Sequence, residues 1–222
     1  MDPAVTTLQA PTGPGSAALV AEFAALFVVL PLAFRFKPFP FPPIPALWLM
    51  AGYCLLRLRS DASFDRRQLW NTPPFRRMAG PIVLMFLVVA VLMGIGVYLL
   101  RPQMLFSLVR RAPWFWGMVM LLYPVLSVYP QGIVYRAFFF QRYRGLFQGR
   151  LTMVLASAVA FAFVHIIFRN AIAVSFTFLG GLLFAWRYQQ TRSLFASALE
   201  HAFYGCLMFT IGLGEYFYRG AR

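Results

Sequence analysis

The chain is short of acids. Its 222 residues include 6 Asp and Glu against 20 Lys and Arg, a formal net charge of +14. The acids are Asp2, Glu22, Asp61, Asp65, Glu200 and Glu215, so any carboxylate chemistry must come from that set. Cysteine is scarcer still. Cys54 and Cys206 alone exclude a disulfide scaffold and a four-cysteine zinc site. Charge of either sign makes up only 12% of the chain, where a soluble domain carries roughly a quarter. That is too little polar side chain to cover a water-facing surface. On a soluble protein the basic excess would point to nucleic acid. Here the cations gather at the ends of apolar runs, as they do beside a membrane, and no nucleic-acid partner is expected.

What the chain has instead is 61% hydrophobic and 18% aromatic residues. Residues 1–16 are small, polar and interrupted by Pro and Gly, which predicts a flexible tail ahead of a single transmembrane domain over 17–222. The run 17–34 is apolar apart from Glu22. No Lys or Arg precedes it, so it reads as a first span rather than a cleaved leader. A Pro/Phe-rich connector at 35–45 contains Arg35 and Lys37. It leads to a short second span at 44–56, whose end Arg57 and Arg59 can reach by snorkelling.

Residues 57–80 are the most polar stretch, and 81–100 form a third span, since about 20 apolar residues cross a bilayer core. The short run 104–109 reads as interfacial. Residues 113–143 are too long for one regular helix, and Pro124 and Pro130 are expected to kink or break it. Further spans follow at 151–168, at 170–188, where Gly180-Gly181 permits close approach, and at 194–213. Tyr216, Tyr218 and Arg219 suit an interfacial belt. The prediction is an all-α polytopic bundle of seven spans, or eight if the long segment divides at Pro130. The cations slightly favour a cytoplasmic N-terminus.

Polar side chains at membrane depth are costly, which makes each one a functional candidate. They fall in three places: Gln131 with Arg136, His165, and Glu200-His201. Gly132 and Arg136, Phe161 and His165, and His201 and Gly205 are each four apart, so each pair shares a helix face. Three helices could aim polar groups at one pocket. Alternatively, each group simply bonds a neighbouring helix. No His-Glu-x-x-His occurs, and two His with few acids argue against a metal site. Ser157 and Ser197 lack a nucleophile turn and read as small packing residues.

In order and spacing these elements resemble the CAAX protease and bacteriocin-processing (CPBP, or ABI) family of glutamate-type intramembrane endopeptidases. That family carries Glu-Glu-x-x-x-Arg, then Phe-x-x-x-His, then His-x-x-x-Asn. The chain has Gln131-Gly132-x-x-x-Arg136, Phe161-x-x-x-His165 and His201-x-x-x-Gly205, flanked by Phe138-Phe139-Phe140 and Ser193-Leu194 with Ala196-Ser197. The resemblance covers 122–214, within a family-like core of about 113–214.

The resemblance implies catalytic positions at Gln131, Arg136, His165 and His201, with Phe161 and Glu200 in support and no cofactor or metal. In the family, a motif-one glutamate and the first His activate water, while the second His and the Asn stabilise the oxyanion. Gln131, Gly132 and Gly205 depart from that pattern. An amide has no usable basicity, though it can orient a water. His165 could serve as a base by itself. Neighbours on a helix diverge by roughly 100°, so Glu200 would face away from a pocket lined by His201, as a supporting partner or in an ion pair with an Arg. Glu215 reads as interfacial, and Glu22 would reach Arg136 if their helices adjoin.

The readings are a divergent intramembrane protease, a pseudoprotease that keeps the substrate pocket, and a non-catalytic subunit or assembly factor of a membrane complex. Expected partners are membrane lipids, with a transmembrane or lipidated peptide or a membrane-complex protein as further candidates. The expected location is a bacterial inner membrane.

Overall fold

The computed structural model describes residues 15–36 and 43–217. Most of the predicted tail, the middle of the Pro/Phe connector with Lys37, and Tyr218 and Arg219 lie outside the described residues. Every regular element within them is helical. In chain order these are α1 (Ser16–Phe36), α2 (Pro43–Ser60), α3 (Pro73–Leu100), the five-residue α4 (Ser107–Arg111), α5 (Pro113–Arg142), α6 (Arg150–Val164), α7 (Ala171–Thr191) and α8 (Leu194–Thr210). Short 3₁₀ turns precede α3, link α3 to α4 and follow α6 and α8.

Five helical runs are long and apolar enough to cross a membrane: those containing α1, α3, α5, α6 and α7. Seven or eight spans were expected. The other two predicted spans, α2 and α8, are helices of 18 and 17 residues, and α2 ends on Arg57 and Arg59. α3 starts earlier than its apolar run, at Pro73, so Arg76 and Arg77 ride on its first turns. Its exposed flank carries Leu84, Leu87, Val91, Leu92 and Leu99, which suits contact with lipid.

The long segment does not break. α5 runs from Pro113 to Arg142 through both prolines. It widens into π turns at Pro124–Val128 and Ile133–Phe138, with regular turns at Tyr129–Gly132 between them. A proline removes the N–H that would bond the carbonyl four residues back. For Pro130 that carbonyl belongs to Leu126, and it accepts instead from the Trp48 indole of α2 at 3.0 Å. The helix therefore continues without a break, with a neighbour satisfying the freed acceptor. α1 has a similar π turn at Ala25–Val29, ahead of Pro31.

α1 packs on the second half of α5 through Phe23, Phe27, Phe139 and Tyr143, with ring centroids 5.2–5.9 Å apart. Above this cluster Glu22 accepts from Arg142 at 2.6 and 2.9 Å and from the Tyr143 hydroxyl at 3.2 Å. Glu22 thus pairs with Arg142, not with Arg136. At the same end of α5, Gln141 donates to Asp61 at 2.8 Å and ties down the turn after α2. This bond, with those from Ser63, holds the Asp61 carboxyl below its usual value.

α6 and α7 form a tight antiparallel pair. A Cβ at Gly181 would lie 3.1 Å from the Ala158 backbone, so a bare glycine is what lets the two helices come this close. α6 then tightens into the 3₁₀ turn His165–Phe168 and stops at Arg169, whose φ is 61°.

Candidate functional site

α3, α5, α6, α7 and α8, with Pro43 and Ile44 of α2, line a partly open cavity of about 830 Å³. Its wall is mainly Met, Phe, Leu and Val, and Gln131, His165, His201 and Gly205 all line it. Phe161 lines it too, so five of the candidate positions named from the sequence meet there, from α5, α8 and the end of α6 with its 3₁₀ turn.

Phe161 organises the site. Its ring makes edge contacts with His165 at 4.8 Å and His201 at 5.4 Å, and the Arg136 guanidinium lies 4.9 Å from its centroid. Arg136 itself is only 2% exposed and is not among the lining residues. It donates to the Ser157 hydroxyl at 2.9 Å and to the Tyr135 carbonyl at 3.1 Å. Ser157 in turn donates a hydrogen bond to Tyr135 O at 2.6 Å, so it is Arg136's polar partner as well as a small packing residue. Arg136 sits behind Phe161 as a buried cation, and among the described residues it has no ion-pair partner.

The histidines are held differently. His165 Nδ1 lies 2.7 Å from the Phe161 carbonyl. A carbonyl only accepts, so Nδ1 carries the proton and Nε2 keeps a free lone pair. His201 stacks on Phe184 at 4.5 Å, with its Nε2 3.4 Å from the Tyr123 hydroxyl. Gln131 donates to Ser127 Oγ at 2.7 Å, and its Oε1 is buried with no partner. The Tyr204 hydroxyl is likewise buried and unpartnered.

Residues 112–207 match a family model described as type II CAAX prenyl endopeptidase Rce1-like. This part of the chain is Rce1-like. No curated protein and no solved structure matches the chain. The Rce1-like stretch takes in α5, α6, α7 and most of α8, and with them every motif position. Together with the apolar helices, it makes this an integral membrane protein with a CAAX protease-like stretch over 112–207.

The other candidate site residues named from the sequence lie off the cavity. Gly132 faces α8, where a Cβ would come 2.7 Å from Leu194 Cδ1. Glu200 is fully buried in a two-bond ion pair with Arg187 at 2.8 and 3.1 Å. Ser197 donates to the Phe184 carbonyl at 2.8 Å. Glu215 pairs with Arg111 at 2.9 Å. Among the described residues no three His, Cys, Asp or Glu side chains gather as a metal site would need.

Gly205 is where the spacing argument misses most. A Cβ there would fall 2.3–2.6 Å from Tyr123 Cε1, Oη and Cζ. The Tyr123 ring already fills the space of a side chain at 205. Tyr123 and Ser127 were not singled out from the sequence. Ser127 lies one turn before Gln131 and could have been, while nothing local links Tyr123 to a glycine 82 positions later. Gly205→Asn is expected to lower stability by about 1–3 kcal/mol through overpacking. In a Tyr123→Ala background the same change should cost little. Thermal unfolding of the four proteins in detergent measures the coupling.

Proposed function

We propose that the protein binds an apolar, membrane-embedded substrate, such as a lipidated peptide, in the α3–α8 chamber and does not hydrolyse it at a peptidase's rate. This is the pseudoprotease reading. The observation that carries it is where the acids lie. All five acids among the described residues are bonded elsewhere: Glu22 to Arg142, Asp61 to Gln141 and Ser63, Asp65 to the Arg67 amide, Glu200 to Arg187 and Glu215 to Arg111. None of them lines the cavity. The residue that faces it at the motif-one position is Gln131, whose amide cannot take a proton from water. A bacterial cytoplasmic membrane is the location that goes with this reading.

Residual hydrolysis is the second reading, favoured by one observation. The Phe161 carbonyl fixes His165 in the tautomer whose Nε2 can accept a proton. A prenylated peptide with a CAAX-type terminus, offered to the protein in lipid nanodiscs, separates the two. The expected result is saturable binding, with the peptide recovered intact. Release of its C-terminal fragment that disappears in His165→Ala would replace the first reading with the second. A lack of saturable binding would defeat both.

A further inference from the structure

We propose that the hollow between the start of α6 and the end of α7 binds the anionic headgroup of a phospholipid, with Arg150 and Arg192 holding its phosphate. The site shares no residue with the chamber and stands whether or not the chamber takes a substrate.

This second, open hollow of about 520 Å³ is lined by Met78, Arg150, Gln189, Gln190 and Arg192. Its chemistry is one-sided. Two guanidiniums and two carboxamides supply N–H donors, and no acid is among the lining residues. Among the described residues none of these four side chains has a hydrogen-bond or ion-pair partner. Met78 touches Arg187 through its sulfur at 4.0 Å, and Arg187 is committed to Glu200, so that acid is already neutralised.

The backbone carries a second sign. α7 ends on Arg192 with φ 46° and ψ 36°, the left-handed position that glycine usually takes at a helix end. A side chain there costs energy that a glycine would not. What it achieves is to bring a second cation to the hollow that Arg150 lines, where the two repel. Strain and like-charge repulsion both work against this arrangement. A phosphate between the guanidiniums turns the repulsion into two charge-assisted contacts.

The surroundings favour a lipid over a soluble phosphate. Arg150 opens one membrane-length helix and Arg192 follows another, which puts the hollow at headgroup level. On α6 an exposed apolar stripe of Leu151, Leu155 and Val159 begins at the residue after Arg150. On α7 the exposed Trp186 shares a face with Gln190, one turn deeper. A cationic seat above apolar flanks fits a phosphate that carries acyl chains.

Trp186 supplies the probe. Brominated acyl chains quench tryptophan on contact, and the share of emission lost in Trp186→Phe isolates this site. Dibrominated phosphatidylglycerol and dibrominated phosphatidylcholine are titrated into the protein in neutral detergent. The anionic lipid should half-quench Trp186 at a concentration roughly tenfold lower than the zwitterionic one. Arg150→Gln and Arg192→Gly should each cut that preference by about fivefold, and Arg110→Gln, outside the hollow, should leave it unchanged. Arg192→Gly also removes the left-handed strain, so its unfolding temperature in neutral detergent should not fall, which separates a lost site from a lost fold. Equal quenching by the two lipids, or a full preference that survives both substitutions, overturns the proposal. Displacement of the anionic lipid by millimolar inorganic phosphate, but not by chloride at the same ionic strength, would assign the hollow to a soluble phosphate and overturn the lipid.

Discussion

Gln131→Glu is expected to convert the protein into a His165-dependent peptidase, with cleavage rising by about a hundredfold or more, the contribution of a positioned general base. Glu has the shape of Gln, so the change needs no repacking. In the present structure the amide nitrogen donates to Ser127 Oγ and Oε1 is left without a partner inside the cavity wall. With a carboxylate in place, the Ser127 hydroxyl becomes the donor and the second oxygen can take a proton from water. His165 Nε2 offers an acceptor on the same cavity, and Arg136, behind Phe161, supplies a compensating positive charge. A chromatographic assay of a prenylated peptide reads the outcome, with Gln131→Glu/His165→Ala as the control. A folded Gln131→Glu protein that stays inert would mean that the chamber no longer holds a substrate in reach of residue 131. Gly132→Glu is not an equivalent route, because its side chain would enter the Leu194 packing on α8 rather than the cavity.

The largest loss of stability is expected from splitting Arg187 and Glu200. Glu200 is fully buried and Arg187 is 6% exposed, so Glu200→Gln leaves a guanidinium without a counter-charge at that depth. Breaking one side of a buried pair costs about 3–5 kcal/mol, while replacing both partners with apolar residues of similar volume is often neutral. Arg187→Met/Glu200→Leu should therefore unfold close to the unmodified protein, and Glu200→Gln well below it. Thermal unfolding in detergent gives the comparison. Equal losses in the single and double variants would show that the site depends on the charges themselves.

These contrasts show what the sequence could reveal. Gln131, His165 and His201 were legible as polar groups at membrane depth, and the fourfold spacing tied Phe161 to His165 and His201 to Gly205. Residues one turn apart share a face whatever packs on them. The helical class was legible from composition. The partners were not, because they depend on which helices adjoin. Glu22 lies beside Arg142 because the Phe23–Phe27 face of α1 packs on the far half of α5. Arg136 faces Ser157 behind Phe161, out of the cavity, although its motif suggested a place in the site. Tyr123 was invisible because the signal for it is an absence, the missing side chain at 205, whose meaning appears only when the ring is seen there.

The two widened turns of α5 bear on how the site is aimed. Residues Tyr129–Gly132, with Gln131 among them, lie between the π turns. A π turn holds one more residue than a regular turn, and each residue advances the helix by about 100°. The angular setting of these four residues is thus uncoupled from both ends of the helix. Arg142 can stay clamped to Glu22 at the far end, and Trp48 holds the Leu126 carbonyl within the first wide turn. A one-residue insertion or deletion in either wide turn would swing Gln131 to a new azimuth, like the pointer of a dial, while the Glu22–Arg142 clamp kept its place.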